Sequence, residues 1–135
     1  LFYFLKEQKM SSTLSKTDML NDVLDNLARN MGGDVNGAAV VSTDGIVFAS
    51  RMSNEVNVDR VSAIAATTLG ISRRVARDLQ LGENSETIIN CANGFFLVIP
   101  VNERCLLAVN LRKGGNLGMI RLEANDAATK ISSIL

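Results

Sequence analysis

Two dipeptides, Asp44-Gly45 and Asn93-Gly94, constrain this chain more than any other feature, because each stands between two β-prone runs. Gly37-Ala38-Ala39-Val40-Val41-Ser42-Thr43 precedes the first, and Ile46-Val47-Phe48-Ala49-Ser50 follows it. Glu86-Thr87-Ile88-Ile89-Asn90-Cys91-Ala92 precedes the second, and Phe95-Phe96-Leu97-Val98-Ile99-Pro100-Val101 follows it. Asp-Gly and Asn-Gly suit the positive φ values of a type I′ turn, so both read as tight hairpins. Hairpins join antiparallel strands, and the sheet is expected to be antiparallel. The run 95–101 is almost wholly apolar and should be covered on both faces. Pro100 lies near its end, where a lost donor is tolerable. Residues 105–111 supply a fifth strand, which Lys113-Gly114-Gly115 ends.

Helical spacing fills the rest. Leu20, Val23, Leu24, Leu27 and Met31 recur at that period and predict a helix over 18–31, capped by Thr17 or Asp18 and stopped by Gly32-Gly33. A second helix runs from a cap at Asn57 or Asp59 to about Gln80, with Gly82 as its stop. Val61, Ile64, Ala65, Thr68, Leu69, Ile71, Ser72, Val75, Ala76 and Leu79 form a broad stripe expected to lie on the sheet. The other side carries Ala63, Ala66, Thr67 and Gly70, then Arg73, Arg74 and Arg77. Small residues there let another backbone approach, and a mid-helix Gly costs about 1 kcal/mol against Ala, which a close contact would offset. The alternative is an exposed, Ala-rich face with a tolerated Gly. A last helix carries Leu117, Ile120, Ala124, Ala127, Ala128, Ile131, Ile134 and Leu135, with Asn116 as cap and Gly118 near its turn. The order α-β-β-α-β-β-β-α makes an α+β domain of two to three layers.

Composition removes several classes of function. Lys+Arg and Asp+Glu both number 14, so no overall field draws nucleic acid. With no Trp and one Tyr, little is available for stacking on bases. There is no His, which removes the usual general base and the commonest metal ligand. Cys91 and Cys105 cannot build a zinc site alone and sit in strand-like contexts, so both are expected to be core residues in a reducing cytoplasm. No apolar run reaches the ~20 residues of a membrane span, so no membrane insertion is expected. No metal, cofactor or catalytic residue is expected, and the chain reads as a non-enzyme.

Residues 1–16 are expected to form an N-terminal extension, flexible or loosely attached, ahead of a single domain over 17–135. Leu1-Phe2-Tyr3-Phe4-Leu5 is apolar but short, with lysines after it, unlike a signal peptide. Met10 reads as a natural start. The alternative is that residues 1–9 make an extra helical turn packed on the domain.

The element order and two phrases resemble the Roadblock/dynein light-chain family. Gly37 to Val47, with its Asp44-Gly45 turn, is similar to the family's first hairpin. Leu107-Ala108-Val109-Asn110-Leu111 followed by Asn116-Leu117-Gly118-Met119-Ile120-Arg121 resembles its last strand and the start of its final helix. The likeness covers residues 17–135. It implies a profilin/longin-like fold with sheet order 2-1-5-4-3, and dimers in which second helices pack together and third strands meet edge to edge. Thr87, Ile89 and Cys91 of that edge strand would then join Ala63, Ala66, Thr67 and Gly70 in the interface, since an unprotected apolar edge is a pairing hazard. The resemblance further implies a homodimeric adaptor that regulates a Ras-like small GTPase. Alternatives are a dynein-light-chain-like scaffold without effect on nucleotide turnover and, third, a small-ligand sensor.

Other motifs read as structural. Asp44, Gly45, Asn93, Gly94, Asn116 and Gly118 are assigned to turns. Gly114-Gly115-Asn116-Leu117-Gly118 lacks the Lys-Ser/Thr of a phosphate loop. Arg73, Arg74 and Arg77 form either a solvated helix end, favoured by the carboxyl-terminal dipole, or a rim for an acidic partner surface.

Overall fold

The computed structural model describes residues 2–53 and 55–135, with side chains from residue 16 onward. Its elements are α1 (Phe2–Asn30), β1 (Val35–Ser42), β2 (Val47–Met52), α2 (Val58–Asp78), β3 (Thr87–Cys91), β4 (Gly94–Pro100), β5 (Cys105–Arg112) and α3 (Leu117–Ile134). The five strands form one antiparallel sheet in the order β2-β1-β5-β4-β3. This is the expected fold class and strand order.

Strand alternation divides the interior into two cores. Ala38, Val40, Leu97, Leu107 and Val109 face α1 and α3, packing with Leu24, Leu27, Ile120, Ala124 and Ile131. Ala39, Val41, Val98, Leu106 and Ala108 face the other way, onto Ala65 and Leu69 of α2. The second core is thinner because one helix covers that face. Its alanines at 39, 65 and 108 bring α2 close to the central strands.

Several local readings need correction. Helix α1 begins at Phe2, so Thr17 and Asp18 lie inside it rather than capping it. Residues 1–31 contain no Gly or Pro, and Ser-Ser-Thr at 11–13 lowers helix propensity without breaking the helix. Whether residues 1–9 pack on the domain concerns side chains outside the described residues. The β1–β2 turn is not type I′. Gly45 N donates to Ser42 O (2.9 Å) and Ser42 N to Ile46 O (2.8 Å), and of the dipeptide only Gly45 takes a positive φ, 89°. A three-residue loop with a type I turn and a left-handed glycine results. In the second hairpin Cys91 pairs with Gly94, leaving Ala92-Asn93 as the loop, and neither Asn93 nor Gly94 has positive φ. Gly94 is instead a strand residue whose absent Cβ would lie 2.6 Å from Leu111 O. It lets β4 approach β5.

Asn57 caps α2, its Oδ1 accepting from Asp59 N (3.0 Å) and Arg60 N (3.2 Å). The helix ends before Gly82. Gln80 takes the left-handed conformation (φ 56°), with Leu81 N donating to Ala76 O (2.8 Å) and Gln80 N to Arg77 O (3.2 Å). This is the Schellman pattern, with a glutamine where glycine is usual. Asn116 caps α3 through Met119 N (3.0 Å), while Gly118 lies within the helix rather than in the turn. Pro100 falls beyond the last β3 rung, Thr87↔Val98, so its missing N–H costs no bond to β3.

Candidate interaction surface

The side of α2 away from the sheet is where local chemistry and packing disagree with a solitary, water-facing helix. Ser62, Ala65 and Leu69 are buried against the sheet. Ile64 (49% exposed), Ile71 (61%) and Val75 (45%) are not. At 3.6 residues per turn these three lie within about 40° of one another, forming one apolar flank. This corrects the expectation that the whole stripe meets the sheet. The stripe is about 160° wide at that periodicity, more than one helix on a flat sheet can bury. That excess width was the sequence signal for the flank.

Hydroxyls on α2 make its surface less polar than its composition suggests. Thr67 Oγ1 donates to Ala63 O, Thr68 Oγ1 to Ile64 O and Ser72 Oγ to Thr68 O, each at 2.8 Å. Satisfied within the helix, these groups leave methyls and methylenes outward.

Of the expected small face, Ala63, Thr67 and Gly70 are exposed and Ala66 is half-buried. A Cβ on Gly70 would meet nothing within 4 Å. Ala63 turns toward the β1–β2 loop, its Cα 4.0 Å from where a Gly45 Cβ would stand. The apolar flank lies on the opposite side, with Ser72, and there it adjoins the sheet's edge. Thr87 Oγ1 donates to Ser72 Oγ (2.6 Å), which puts Thr87 and, by alternation, Ile89 and Cys91 on the α2 face of β3. Ile89 is 39% exposed, and Cys91 is exposed rather than a core residue. Cys105 is buried, and that burial pushes its thiol up from the ordinary value. Edge strand and helix flank therefore make one continuous apolar margin.

Side chains hold β3 in place from three directions. Besides the Thr87–Ser72 bond, Glu86 pairs with Arg121 of α3, holding the Arg121 guanidinium above its ordinary value by hydrogen bond and charge. Lys113 Nζ donates to Asn90 Oδ1 (3.0 Å) and lies 4.6 Å from the Phe95 ring centre.

The three arginines separate. Arg73 is half-buried and turns inward, its Nη1 donating to Glu103 O (3.4 Å) and Nη2 to Asn102 O (3.3 Å). It ties α2 to the β4–β5 turn, so it is not a free member of a rim. Arg74 and Arg77 remain exposed and share Asp78, at 3.4 Å and 3.8 Å. Beside them an open groove of about 1020 Å³ runs between the end of α2, the end of β4 and α3. Its lining mixes Arg73 and Arg77 with Glu83 and Glu103, which gives it no charge with which to select a small ion. Among the described residues no group of three or more His, Cys, Asp or Glu is placed to hold a metal. Among the same residues no helix is long and apolar enough to cross a membrane.

Comparison with known proteins agrees with this architecture. The model of the Roadblock/LC7 domain family matches residues 19–110. The uncharacterized protein MJ0310 of Methanocaldococcus jannaschii is 32% identical over 116 residues, 86% of this chain and 99% of that one. Myxococcus xanthus MglB superposes with a TM-score of 0.80 at 18% identity, covering 87% of this chain and 88% of MglB. LokiProfilin1, solved in complex with rabbit actin, superposes at 0.61 with 12% identity, over 87% and 97% of the two chains. At these identities the two structures speak for the profilin-like fold alone. Family model and close relative go further: the chain belongs to the Roadblock/LC7 domain family.

Proposed function

We propose that this protein is a non-catalytic, cytoplasmic dimeric adaptor that binds and regulates a Ras-like small GTPase. The observation that carries the reading is the continuous apolar margin of Ile64, Ile71 and Val75 on α2 with Ile89 on edge strand β3. An apolar helix flank beside an unpaired strand edge is an interaction surface by its own energetics. Water gains where such surface is covered, and the strand's free backbone groups gain a partner. Covering it with a second chain builds a platform on whose outer side Arg74 and Arg77 stand exposed. The GTPase part rests on membership of the family and on the function that the resemblance implies.

An adaptor of this kind needs no catalytic residue of its own. It acts by binding one arrangement of the GTPase's switch loops better than another, and so shifts their populations. Arg74 and Arg77 supply the charge that meets an acidic patch.

The test is titration with a small GTPase from the same source, with hydrolysis and nucleotide exchange followed in parallel. Binding with an altered rate of either is expected. Arg74→Glu with Arg77→Glu should weaken binding about tenfold or more without changing self-association, on the scale of two lost charge contacts. Tight binding with both rates unchanged would point to the scaffold reading, and no binding would remove the GTPase.

A further inference from the structure

Helix α1 outlasts the elements that pack against it. Asn30 Nδ2 donates to Glu123 Oε2 (3.1 Å), and Val23, Asn26 and Leu27 share a crevice with Asp126, Ala127 and Lys130, so α1 and α3 run antiparallel. Each residue back along α1 matches one forward along α3, and α3 reaches Leu135 opposite about residue 18. The sheet gives out at nearly the same level. Arg51 pairs with Asp25 (3.0 Å), and β2 starts at Val47, about 13 Å before Arg51 or about nine residues of helix. Lys16, Thr17, Asp18 and Met19 are accordingly all exposed, and four successive positions cover every side of a helix. The helical backbone nonetheless continues back to Phe2. In a folded protein most helical stability comes from packing, and Ser11-Ser12-Thr13 lowers the propensity of this stretch. It needs a surface that the domain does not supply.

We infer that the first part of α1, residues 2–16, lies on an anionic lipid surface and holds the domain there. Composition identifies the surface. Residues 1–16 carry Lys6, Lys9 and Lys16 against Glu7 alone, whereas the rest of the chain has 11 basic and 13 acidic residues. Positions 1–5 are Leu-Phe-Tyr-Phe-Leu. A helix that docks in a protein groove shows one apolar stripe, at i, i+3, i+4 and i+7. Here positions 2–5 put apolar residues on every side of a turn, which suits a segment sunk into an apolar medium rather than laid along a groove. Apolar and aromatic residues followed at once by lysines make an interfacial anchor, in which rings and aliphatic chains enter the acyl boundary and ammonium groups stay among the phosphates. Five apolar residues are far short of a hydrocarbon core, and among the described residues no helix is long and apolar enough to cross one, so the attachment is to a single leaflet. This placement rests on α1 alone and is independent of the α2 flank and of any GTPase.

The test uses the full chain with vesicles of phosphatidylcholine alone or of an equal mixture with phosphatidylglycerol. Tyr3 is the only tyrosine and the chain has no Trp, so intrinsic emission reports on this segment. Binding to the anionic vesicles, read by co-sedimentation, is expected to weaken as salt rises and to protect Tyr3 from quenching by iodide. Lys6→Gln, Lys9→Gln and Lys16→Gln together should weaken binding about a hundredfold, at about fivefold per lysine. Phe2→Ser with Phe4→Ser should weaken it about tenfold or more. Buried packing of α1 begins at Leu20, so these variants should keep the circular dichroism of a folded domain. No binding to either kind of vesicle would overturn the inference, and so would equal binding to both. Binding that leaves Tyr3 open to iodide would place the contact elsewhere on the molecule and overturn it as well. Tyr3 shielded by raising the protein concentration alone, without vesicles, would make another protein chain the surface and remove the lipid.

Discussion

At the scale of single residues, backbone geometry decides more than side-chain chemistry. Gln80 occupies the left-handed position that closes α2, where an L side chain is strained and glycine is not. Gln80→Gly should raise stability by about 0.5–1 kcal/mol, after allowing for glycine's extra freedom in the unfolded chain, as read from the urea midpoint. An unchanged or lower midpoint would mean that the Gln80 side chain holds something in place. Gly94 shows the converse. Its dipeptide Asn93-Gly94 looks like a demand for positive φ, yet the glycine serves the 2.6 Å approach of its missing Cβ to Leu111 O. Both uses of glycine look the same in a sequence, because the second depends on a neighbouring strand that comes later in the chain.

At the scale of elements, α2 carries two allegiances on one cylinder. Ala65 and Leu69 belong to the sheet, while Ile64, Ile71 and Val75 face outward. Ile71→Lys should leave the helical content and the unfolding midpoint of the isolated chain nearly unchanged, since a half-exposed position loses little on substitution. It should convert the sedimenting species from dimer to monomer, and a dimer that survives it would move the interface elsewhere. Element types and their order were legible from periodicity and turn residues. Which apolar side chains of α2 stay exposed was not. Apolar residues at helical spacing report burial without naming what buries them, so Ile64 and Ile71 read the same against a sheet or against another chain. The inward turn of Arg73 was hidden for a related reason, since carbonyls of Asn102 and Glu103 attract it and backbone acceptors leave no mark in a sequence.

For the whole molecule, the sheet separates a thick core under α1 and α3 from a thin one under α2. Stability should therefore depend on concentration. Covering the thin side by association stabilises the folded chain by mass action, and the unfolding temperature should rise by several degrees across a hundredfold increase in protein concentration. A midpoint independent of concentration would mean that the thin side stands alone. The tethering of β3 bears on how such a union forms. With Thr87 clasped to Ser72, Glu86 to Arg121 and Asn90 to Lys113, the border strand keeps its shape although, among the described residues, no further strand pairs with its outer side. A newcomer finds the template already stiff. The ordering entropy that usually taxes docking was largely spent when the chain folded, and more of the contact energy remains as affinity.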